Sequence, residues 1–252
     1  WKRGIDMLVC ESGILYVRAS LAPLAKQIRA RKGVLNFLRD KLEFDEVLVP
    51  YFQGARPFWR PAAVVGAPHK THSGALGRLV AGLPGGVVSH HPTHAFAGQG
   101  ERVAQVLGRH TGETACFSPI RELAETSDFS MLLVGCLEES PGFSSVHVAQ
   151  NMLGLSQRHL IRYLLRWDVP VDGVMHSRLA PEAPGCSESF DKFYPHYEQD
   201  GNLQRGEWDG VPWIFVPSAY KALQTELAIL KDEPRFVKCG KRLCPTCSFR
   251  LY

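Results

Sequence analysis

The sequence predicts an α/β protein in which helices pack against the faces of a sheet. Short apolar runs of strand length alternate with amphipathic runs of helix length along most of the chain, and this alternation is typical of α/β folds. The 252 residues are enough to bury a substantial core, and 45% hydrophobic with 21% charged residues is the composition of an ordered globular protein. We therefore expect one domain that spans residues 1–252.

The N-terminal part of the chain supplies the first predicted strands and helices. Residues 5–20 contain two apolar runs around a Glu-Ser-Gly turn, which predict a hairpin or a turn into the first core strand. Residues 21–42 have the periodicity of an amphipathic helix that is interrupted near Gly33. Residues 47–52 predict the next strand, and the aromatic and basic loop over residues 54–61 predicts either the wall of a pocket or simple packing.

The rest of the chain continues the alternation and then enters a long irregular region. Residues 170–209 are polar and rich in Pro, Gly and Asp, which predicts long loops and edge strands over the sheet in the C-terminal third. The other predicted elements are a helix over 76–81, a helix over 103–110, a buried strand over 131–136, one long helix or two helices over 146–167, a strand over 213–216 and a helix over 219–230.

Composition limits the classes of partner and the compartment. The formal net charge of +4 is mild and is interpreted as solvated surface, and no Lys/Arg block or RNA-binding signature predicts nucleic acid binding. No apolar run reaches the roughly 18 residues that cross a bilayer, so no membrane partner is predicted. Seven cysteines in a chain of this size predict mostly reduced thiols in a cytoplasmic protein. The sequence begins at Trp1, which leaves a lost targeting segment open.

Two histidine-containing blocks are the strongest candidates for a functional site. The first covers residues 89–98 and places His90, His91 and His94 within five positions, while Pro92 predicts that a helical turn begins there. So many imidazoles in one short stretch predict that at least one faces something other than the core. Imidazole changes charge near neutral pH and is the usual proton acceptor when an amine or hydroxyl becomes a nucleophile.

The second block covers residues 144–150 and carries one more histidine. Ser144 or Ser145 is predicted to cap a helix whose first turn contains His147. Gln150 follows three residues later on the same face of that helix, where its amide can orient the imidazole.

In this order, the two blocks resemble the aminoglycoside 3-N-acetyltransferase family. The family pattern is a His-Pro-Thr-His-Ser block followed by a Thr-x-Leu-His-Leu-Ala-Glu block; this chain has His-Pro-Thr-His-Ala from His91 and Ser-Ser-Val-His-Val-Ala-Gln from Ser144. The resemblance spans roughly residues 13–155. It includes the strand end Leu15-Tyr16-Val17-Arg18-Ala19-Ser20-Leu21, the strand Val47-Leu48-Val49-Pro50, the helix and turn over 71–86, Phe117-Ser118-Pro119-Ile120 and the buried strand Leu132-Leu133-Val134-Gly135.

The resemblance implies an acyltransferase with a central mixed sheet flanked by helices. Such an enzyme moves an acetyl group from acetyl-CoA to an amine of an aminoglycoside, an amino sugar or a related natural product, in antibiotic resistance or in a biosynthetic pathway. It implies that His147 is the general base, with Gln150 beside it and His94 as an active-site contact. Coenzyme contacts are expected at Ser20, Leu21, Ser89 and Thr93, and the helix N-terminus beside Ser20 offers backbone N–H groups to a carbonyl or phosphate. We expect a monomer or homodimer.

The chain departs from the family pattern at two positions. Gln150 stands where the family has glutamate, and Ala95 stands where it has serine. A carboxylate stabilises the imidazolium as it forms, and in a serine protease triad the comparable acid-to-amide change costs about 10⁴ in turnover. Another acid, a different route of deprotonation or low activity would account for Gln150. The alternative function is a catalytically degenerate member that binds a ligand or partner, and a zinc-containing hydrolase built on the histidine block is a third option.

The C-terminal cysteines give the best metal signal in the sequence. Cys244 and Cys247 form a Cys-x-x-Cys knuckle, and Cys239 together with Cys186 would complete a structural zinc site. A redox pair and unlinked thiols are the alternatives, and the sequence alone favours unlinked thiols. A catalytic metal is not predicted, because the histidine run lacks a His-Glu-x-x-His framework.

Overall fold

The fold is built on one large sheet, one small sheet and the helices that cover them. The computed structural model describes residues 11–53, 63–64, 71, 73–126 and 128–250. Its strands are β1 (Glu11–Ala19), β2 (Glu43–Pro50), β3 (Ala63–Val64), β4 (Gly86–Val88), β5 (Phe96–Gln99), β6 (Phe129–Val134), β7 (Arg166–Val171), β8 (Val174–Leu179), β9 (Gln204–Trp208) and β10 (Val211–Val216). Its α-helices are α1 (Ala25–Ala30), α2 (Val34–Arg39), α3 (Ala75–Ala81), α4 (Glu101–Arg109), α5 (Ser118–Ala124), α6 (Ser145–Met152), α7 (Tyr194–Gln199), α8 (Ala219–Asp232) and α9 (Pro245–Ser248).

The large sheet is mixed. Its seven strands lie in the order β4-β5-β2-β1-β6-β10-β9, with β2, β1 and β6 parallel at the centre and antiparallel pairs on both sides. The register places Tyr16 of β1 beside Leu48 on one side and Met131 on the other. This confirms the predicted α/β fold with a central mixed sheet flanked by helices.

Side chains on the two faces of the sheet enter two separate cores. Along β1, Ile14 and Tyr16 point into one core while Leu15 and Val17 point into the other, as the strand period of two requires. Helices α4, α5, α6 and α8 cover the first face, and α1, α2 and α3 cover the second. All six residues of β6 are buried because both of its faces are covered.

A cleft opens where the parallel strands end. β1, β2 and β6 run in the same direction, so their carboxyl ends meet at one edge of the sheet. Ligands of open α/β sheets bind outside the carboxyl ends of such strands. Arg18 at the end of β1, Phe52 beyond β2 and Cys136 beyond β6 line a cavity at this edge.

The small sheet combines strands from distant parts of the sequence. Strand β7 pairs in parallel with β3 and antiparallel with β8. Its Trp167 packs in a small core with Leu165, Ala180 and Ala183.

The interruption predicted near Gly33 is confirmed. Helix α1 ends at Ala30 and α2 begins at Val34, and Gly33 between them has φ +150°, which few other residues adopt. Predicted elements over 76–81, 103–110, 131–136, 213–216 and 219–230 correspond to α3, α4, β6, β10 and α8, with boundaries that differ by a few residues. The strand predicted over 47–52 is β2, which ends at Pro50.

The prediction of one long helix or two helices over 146–167 is wrong beyond Met152. Helix α6 ends there because Gly154 adopts φ +72° and the backbone N–H of Leu155 turns back to the carbonyl of Gln150 at 2.8 Å. A 3-10 turn over Leu160–Leu164 and strand β7 follow.

The helical turn predicted at Pro92 is also wrong. Ser89 and Phe96 are joined by two hydrogen bonds in this part of the chain, since the Ser89 N–H donates to the Phe96 carbonyl at 2.9 Å and the Ser89 hydroxyl accepts from the Phe96 N–H at 3.0 Å. These bonds align β4 with β5, so the histidine block forms the loop of a hairpin and Ala95 leads directly into a strand.

The edge strands predicted within residues 170–209 are confirmed as β9, at the edge of the large sheet, and β8, at the edge of the small sheet. The helix α7 in this region was not predicted. The turn predicted at Glu11-Ser12-Gly13 is wrong, because these residues belong to strand β1. Residues 5–10 and the predicted loop over 54–61 lie outside the described residues. Among the helices that the structure describes, none combines the length and apolar character needed to cross a membrane.

A buried carboxyl anchors the start of α6. The hydroxyl of Ser145 donates to Oε1 of Glu226 on α8 at 2.5 Å, and the Tyr197 hydroxyl donates to the same oxygen. Burial raises the pKa of Glu226 to about 8, so this side chain is mostly protonated at neutral pH. The network fixes α6, and with it the second histidine block, against the helical layer.

Candidate active site

His147 lies at the centre of the site, on the first turn of α6. Its Nδ1 lies 3.1 Å from Oε1 of Gln150, one turn further along the same helix. The imidazole stacks on Phe117 with ring centroids 4.6 Å apart and an interplanar angle of 25°, and the ring of Phe190 meets it edge-on at 4.8 Å. Because an amide oxygen only accepts, Nδ1 carries the proton and Nε2 keeps its lone pair.

The surroundings of His147 favour its neutral form. Burial lowers the pKa of His147 to about 3; the hydrogen bond to Gln150 opposes this shift, and the charges of Arg250 and Arg18 add to it. The imidazole is therefore neutral at physiological pH and its Nε2 lone pair is free, but a pKa this low makes it a weak base. Since Gln150 carries no charge, little stabilises the imidazolium once the proton has moved.

His94, from the first block, faces the same space. Its ring lies between Phe52 and Phe117, with centroids 5.2 Å and 5.3 Å away, and its Nδ1 is 2.8 Å from the hydroxyl of Thr93. Burial lowers the pKa of His94 to about 4, so it is also neutral at pH 7. The structure thus brings together two histidines that are far apart in sequence.

The remaining histidines of the first block have other surroundings. His91 is fully buried, and its Nδ1 accepts backbone N–H groups from Thr93 and His94 at 3.3 and 3.1 Å, which shapes the turn that presents His94. It stacks on His110, whose Nδ1 lies 2.9 Å from the Ser89 hydroxyl. His90 is exposed.

Both His94 and His147 line one cavity of about 250 Å³. It adjoins a cavity of about 360 Å³ at the end of the parallel strands, since Arg18, Phe52 and Ser140 line both. A further cavity of about 280 Å³ shares His94 and Pro184 with it. The two histidines therefore line the cavity that borders both of the others, and the three together form the candidate cleft.

Arg18 and Ser144 are cleft residues that the sequence did not single out. The Arg18 guanidinium donates to the Gly142 carbonyl at 2.9 Å and lines the central cavity, where it can stabilise a negative charge. Ser144, predicted as a possible helix cap, uses its hydroxyl to bond to the Tyr16 hydroxyl at 2.8 Å and lines the same cavity. Tyr16 comes from β1 and Gly142 from the loop before α6, so only the folded chain brings these groups together.

Arg250 contacts the partner of His147. Its guanidinium lies 3.3 Å from Oε1 of Gln150, the same oxygen that accepts from His147. The guanidinium packs so closely on Gly185 that a Cβ atom at that position would lie 1.8 Å from it. One amide oxygen thus links the imidazole to a cation from the C-terminal segment.

Two of the predicted coenzyme contacts lie beside the cavity at the strand ends, and the other two lie in the buried hairpin. Ser20 and Leu21 follow Ala19, which lines the cavity at the strand ends, and the Ser20 N–H donates to the Val134 carbonyl at 3.0 Å. Ser89 and Thr93 are buried in the hairpin and bond to neighbouring histidines.

A buried glutamate joins the segments that surround the cleft. Oε1 of Glu182 accepts the backbone N–H of Cys116 at 2.6 Å, and Oε2 accepts from Asn151 at 2.8 Å and from the Ser156 hydroxyl at 2.5 Å. Cys116 precedes Phe117, Asn151 belongs to α6, and Glu182 itself precedes the cleft residues Pro184 and Gly185. The carboxylate therefore fixes three walls of the site relative to one another.

The arrangement fits a reaction in which a nucleophile loses a proton inside a partly buried cleft. Nε2 of His147 can accept the proton, and Arg18 can stabilise an oxyanion, since preorganised donors of this type lower the energy of a charged transition state. Among the described residues, one group of metal-ligating side chains lies close enough to hold an ion: Cys186, Cys239, Cys244 and Cys247, outside the cleft lining.

Comparison with known proteins identifies the family of this arrangement. The sequence profile described as aminoglycoside 3-N-acetyltransferase matches residues 42–221. This confirms the resemblance carried by the two histidine blocks. A search of curated proteins found no match.

Several solved structures of known proteins share the fold of this chain. The apoenzyme of aminoglycoside acetyltransferase AAC(3)-IVa has a TM-score of 0.71 at 19% identity, over 96% of this chain and 91% of that chain. A mutant of that enzyme in complex with a gentamicin has a TM-score of 0.69 at 19% identity, over 97% and 93%. AAC-IIIb, in a binary complex with CoASH, has a TM-score of 0.65 at 17% identity, over 93% and 95%.

Proposed function

Because the chain belongs to the aminoglycoside 3-N-acetyltransferase family, we propose that it transfers an acetyl group from acetyl-CoA to an amine, with His147 as general base. The acceptor class is an aminoglycoside, an amino sugar or a related natural product. The observation that carries the proposal is the neutral imidazole of His147, which faces a cleft also lined by His94 and Arg18.

The proposed reaction uses the free lone pair of Nε2. An acceptor amine is mostly protonated at pH 7, so two protons leave its nitrogen during the reaction. His147 takes one of them, from the ammonium or from the intermediate that follows attack, and solvent takes the other. The lone pair of the acceptor nitrogen forms a bond to the thioester carbonyl carbon, the carbon–sulfur bond breaks, and the CoA thiolate takes the proton from the His147 imidazolium. Meanwhile Nδ1–H keeps its bond to Gln150 and holds the ring in place.

The compartment at the strand ends is the better place for the acyl donor. It is lined by Arg18 and Ala19 and lies beside the proposed coenzyme contacts Ser20 and Leu21. The guanidinium of Arg18 faces both this compartment and the central cavity, where the thioester oxygen becomes negative. Ser89 and Thr93 act in this proposal by positioning the hairpin that carries His94. The neighbour solved with CoASH supports a CoA thioester as the donor.

The cavity that shares His94 and Pro184 with the central cavity is proposed for the acceptor. The described residues that line the three cavities include Arg18 but no aspartate or glutamate. The sequence from residue 47 to residue 100, which includes the lining residues Phe52, Leu76 and His94, also contains neither acid. Like charges repel strongly in a partly buried site. We therefore expect acceptors with one positive charge to have a higher kcat/KM than polycationic aminoglycosides.

The direct test measures thiol release from acetyl-CoA with a panel of acceptors. The panel should contain gentamicin, an amino sugar with a single amine, and the same sugar with its amine blocked. Turnover with a free amine, none with the blocked sugar, and an N-acetyl product by mass spectrometry would support the proposal. If CoA binds but no free amine is turned over, the chain is a degenerate, ligand-binding member of the family.

Replacing Gln150 with glutamate is expected to increase turnover at neutral pH. A carboxylate beside Nδ1 favours the imidazolium and raises the pKa of His147 from about 3, which makes Nε2 a stronger base. Because a base must be unprotonated to act, the acid limb of the kcat profile should move to higher pH.

The Gln150→Glu comparison has a matched control. Gln105→Glu makes the same change on the exposed face of α4 and should leave the profile unchanged. The measurement is kcat between pH 4 and pH 9 in about 0.15 M salt. An unchanged profile for Gln150→Glu would show that another group sets the basicity of His147.

A further inference from the structure

Four cysteines from distant parts of the sequence meet beside the cleft. Cys186 follows Gly185 in the loop after β8, while Cys239, Cys244 and Cys247 belong to the C-terminal segment. Cys244 immediately precedes α9, whose first residue is Pro245, so the turn of the Cys-Pro-Thr-Cys knuckle is fixed by the start of a helix. The four Sγ atoms all lie within 4.8 Å of one another.

The sulfur spacing fits a tetrahedral metal site better than it fits a disulfide. A zinc ion with four Zn–S bonds of about 2.3 Å holds its sulfur atoms about 3.8 Å apart. Here the Sγ atoms of Cys239 and Cys247 are 3.6 Å apart, well beyond the ~2.05 Å of a disulfide. All four cysteines are free thiols, and two of them are buried.

The surroundings of the cluster suit the charge that four thiolates bring. Four thiolates with one Zn²⁺ carry two net negative charges, and positive groups nearby reduce the cost of holding them. Lys241 lies within electrostatic range of Cys239 and Cys186 while pairing with Glu188 at 2.7 Å. A cation therefore stands beside the proposed thiolates.

We propose that Cys186, Cys239, Cys244 and Cys247 bind a zinc ion that fastens the C-terminal segment to the wall of the cleft. Directly after the knuckle, the Phe249 carbonyl accepts the Leu160 N–H at 2.9 Å, and Arg250 forms a β-bridge with His159. These contacts hold in place the segment whose Arg250 contacts Gln150. The ion is structural, because its four protein ligands leave no open position for a substrate.

The test measures zinc and segment protection in the full chain, so it does not depend on the proposed activity. Protein purified without chelator should contain about one zinc per chain by mass spectrometry. Cys244→Ser should reduce the zinc content about tenfold or more. Cys116→Ala is the matched control, since Cys116 is buried elsewhere, and it should keep its zinc. Chelation of the wild type should increase hydrogen exchange at residues 239–250 and around residue 160, but not in β1 or β6.

If Cys244→Ser fails to fold, cobalt binding to the wild-type protein tests the proposal instead. Co²⁺ exchanged into the wild type should give the thiolate-to-metal charge-transfer absorption of a four-sulfur site. Wild-type protein that contains no zinc would overturn the proposal. So would wild-type protein that takes up neither Zn²⁺ nor Co²⁺, or that contains a Cys239–Cys247 disulfide. Zinc retained by Cys244→Ser, or removed without any change in exchange at residues 239–250, would overturn it as well.

Discussion

Replacing His147 with alanine is expected to lower kcat/KM for acetyl transfer by about 10²–10⁴-fold while CoA still binds. The imidazole lines the central cavity, and its Nδ1 is held by Gln150, which leaves the lone pair of Nε2 free. Without it, the acceptor ammonium loses its proton only to solvent. The measurement is thiol release under steady-state conditions, together with CoA binding by calorimetry.

His176→Ala is a suitable control for this experiment. His176 is an exposed residue of β8 and lies outside the lining of the three cavities. Its replacement should leave kcat/KM unchanged. Equal rates for wild type and His147→Ala would remove His147 from the mechanism. A loss of CoA binding in His147→Ala would instead assign it a role in holding the donor.

Glu182→Ala is expected to lower the free energy of unfolding by about 3–5 kcal/mol. The carboxylate is buried and accepts hydrogen bonds from Cys116, Asn151 and Ser156. Its removal leaves three donors without this acceptor and creates a small cavity, and buried donors without partners are costly. Urea unfolding monitored by fluorescence measures the change.

Two further variants show whether the loss of stability comes from this network or from the loss of any carboxylate. Glu113→Ala removes an exposed glutamate that pairs with Arg178, and it should cost no more than about 1 kcal/mol. Glu182→Gln keeps one acceptor oxygen and should lie between the two. A loss below about 1 kcal/mol for Glu182→Ala would mean that water replaces the carboxylate, and that it does not fix the walls of the cleft.

Periodic apolar patterns were enough to predict most of the elements of the large sheet and its helices. Strands such as β6 are buried on both faces and read as continuous apolar runs, and α8 shows the regular spacing of a helix packed on one side. The wrong secondary-structure predictions fall where tertiary contacts override the preference of the local sequence. Residues 153–167 contain enough leucine and arginine to resemble a helix, but Gly154 ends α6 and the chain then pairs with β8.

The site could be predicted only where its residues form sequence blocks. His94, His147 and Gln150 lie in such blocks, whereas Arg18, Glu182 and Arg250 reach the cleft by way of the fold. Glu182 and Arg250 act through contacts with residues 26 to 100 positions away in sequence. The cysteine cluster is intermediate: the knuckle is visible in the sequence and Cys186 was a candidate fourth ligand, but its proximity to the knuckle is a result of folding.

The contact between Arg250 and Gln150 also concerns the way the protein is made. The two residues are 100 positions apart, and a ribosome adds about 5–20 residues per second, so Arg250 is synthesised on the order of 5–20 s after Gln150. During that interval a nascent chain can bury α6 and form the central strands. The electrostatic environment of His147 becomes complete only when the segment that carries Arg250 has left the ribosome and docked, so this contact forms well after α6 has been synthesised.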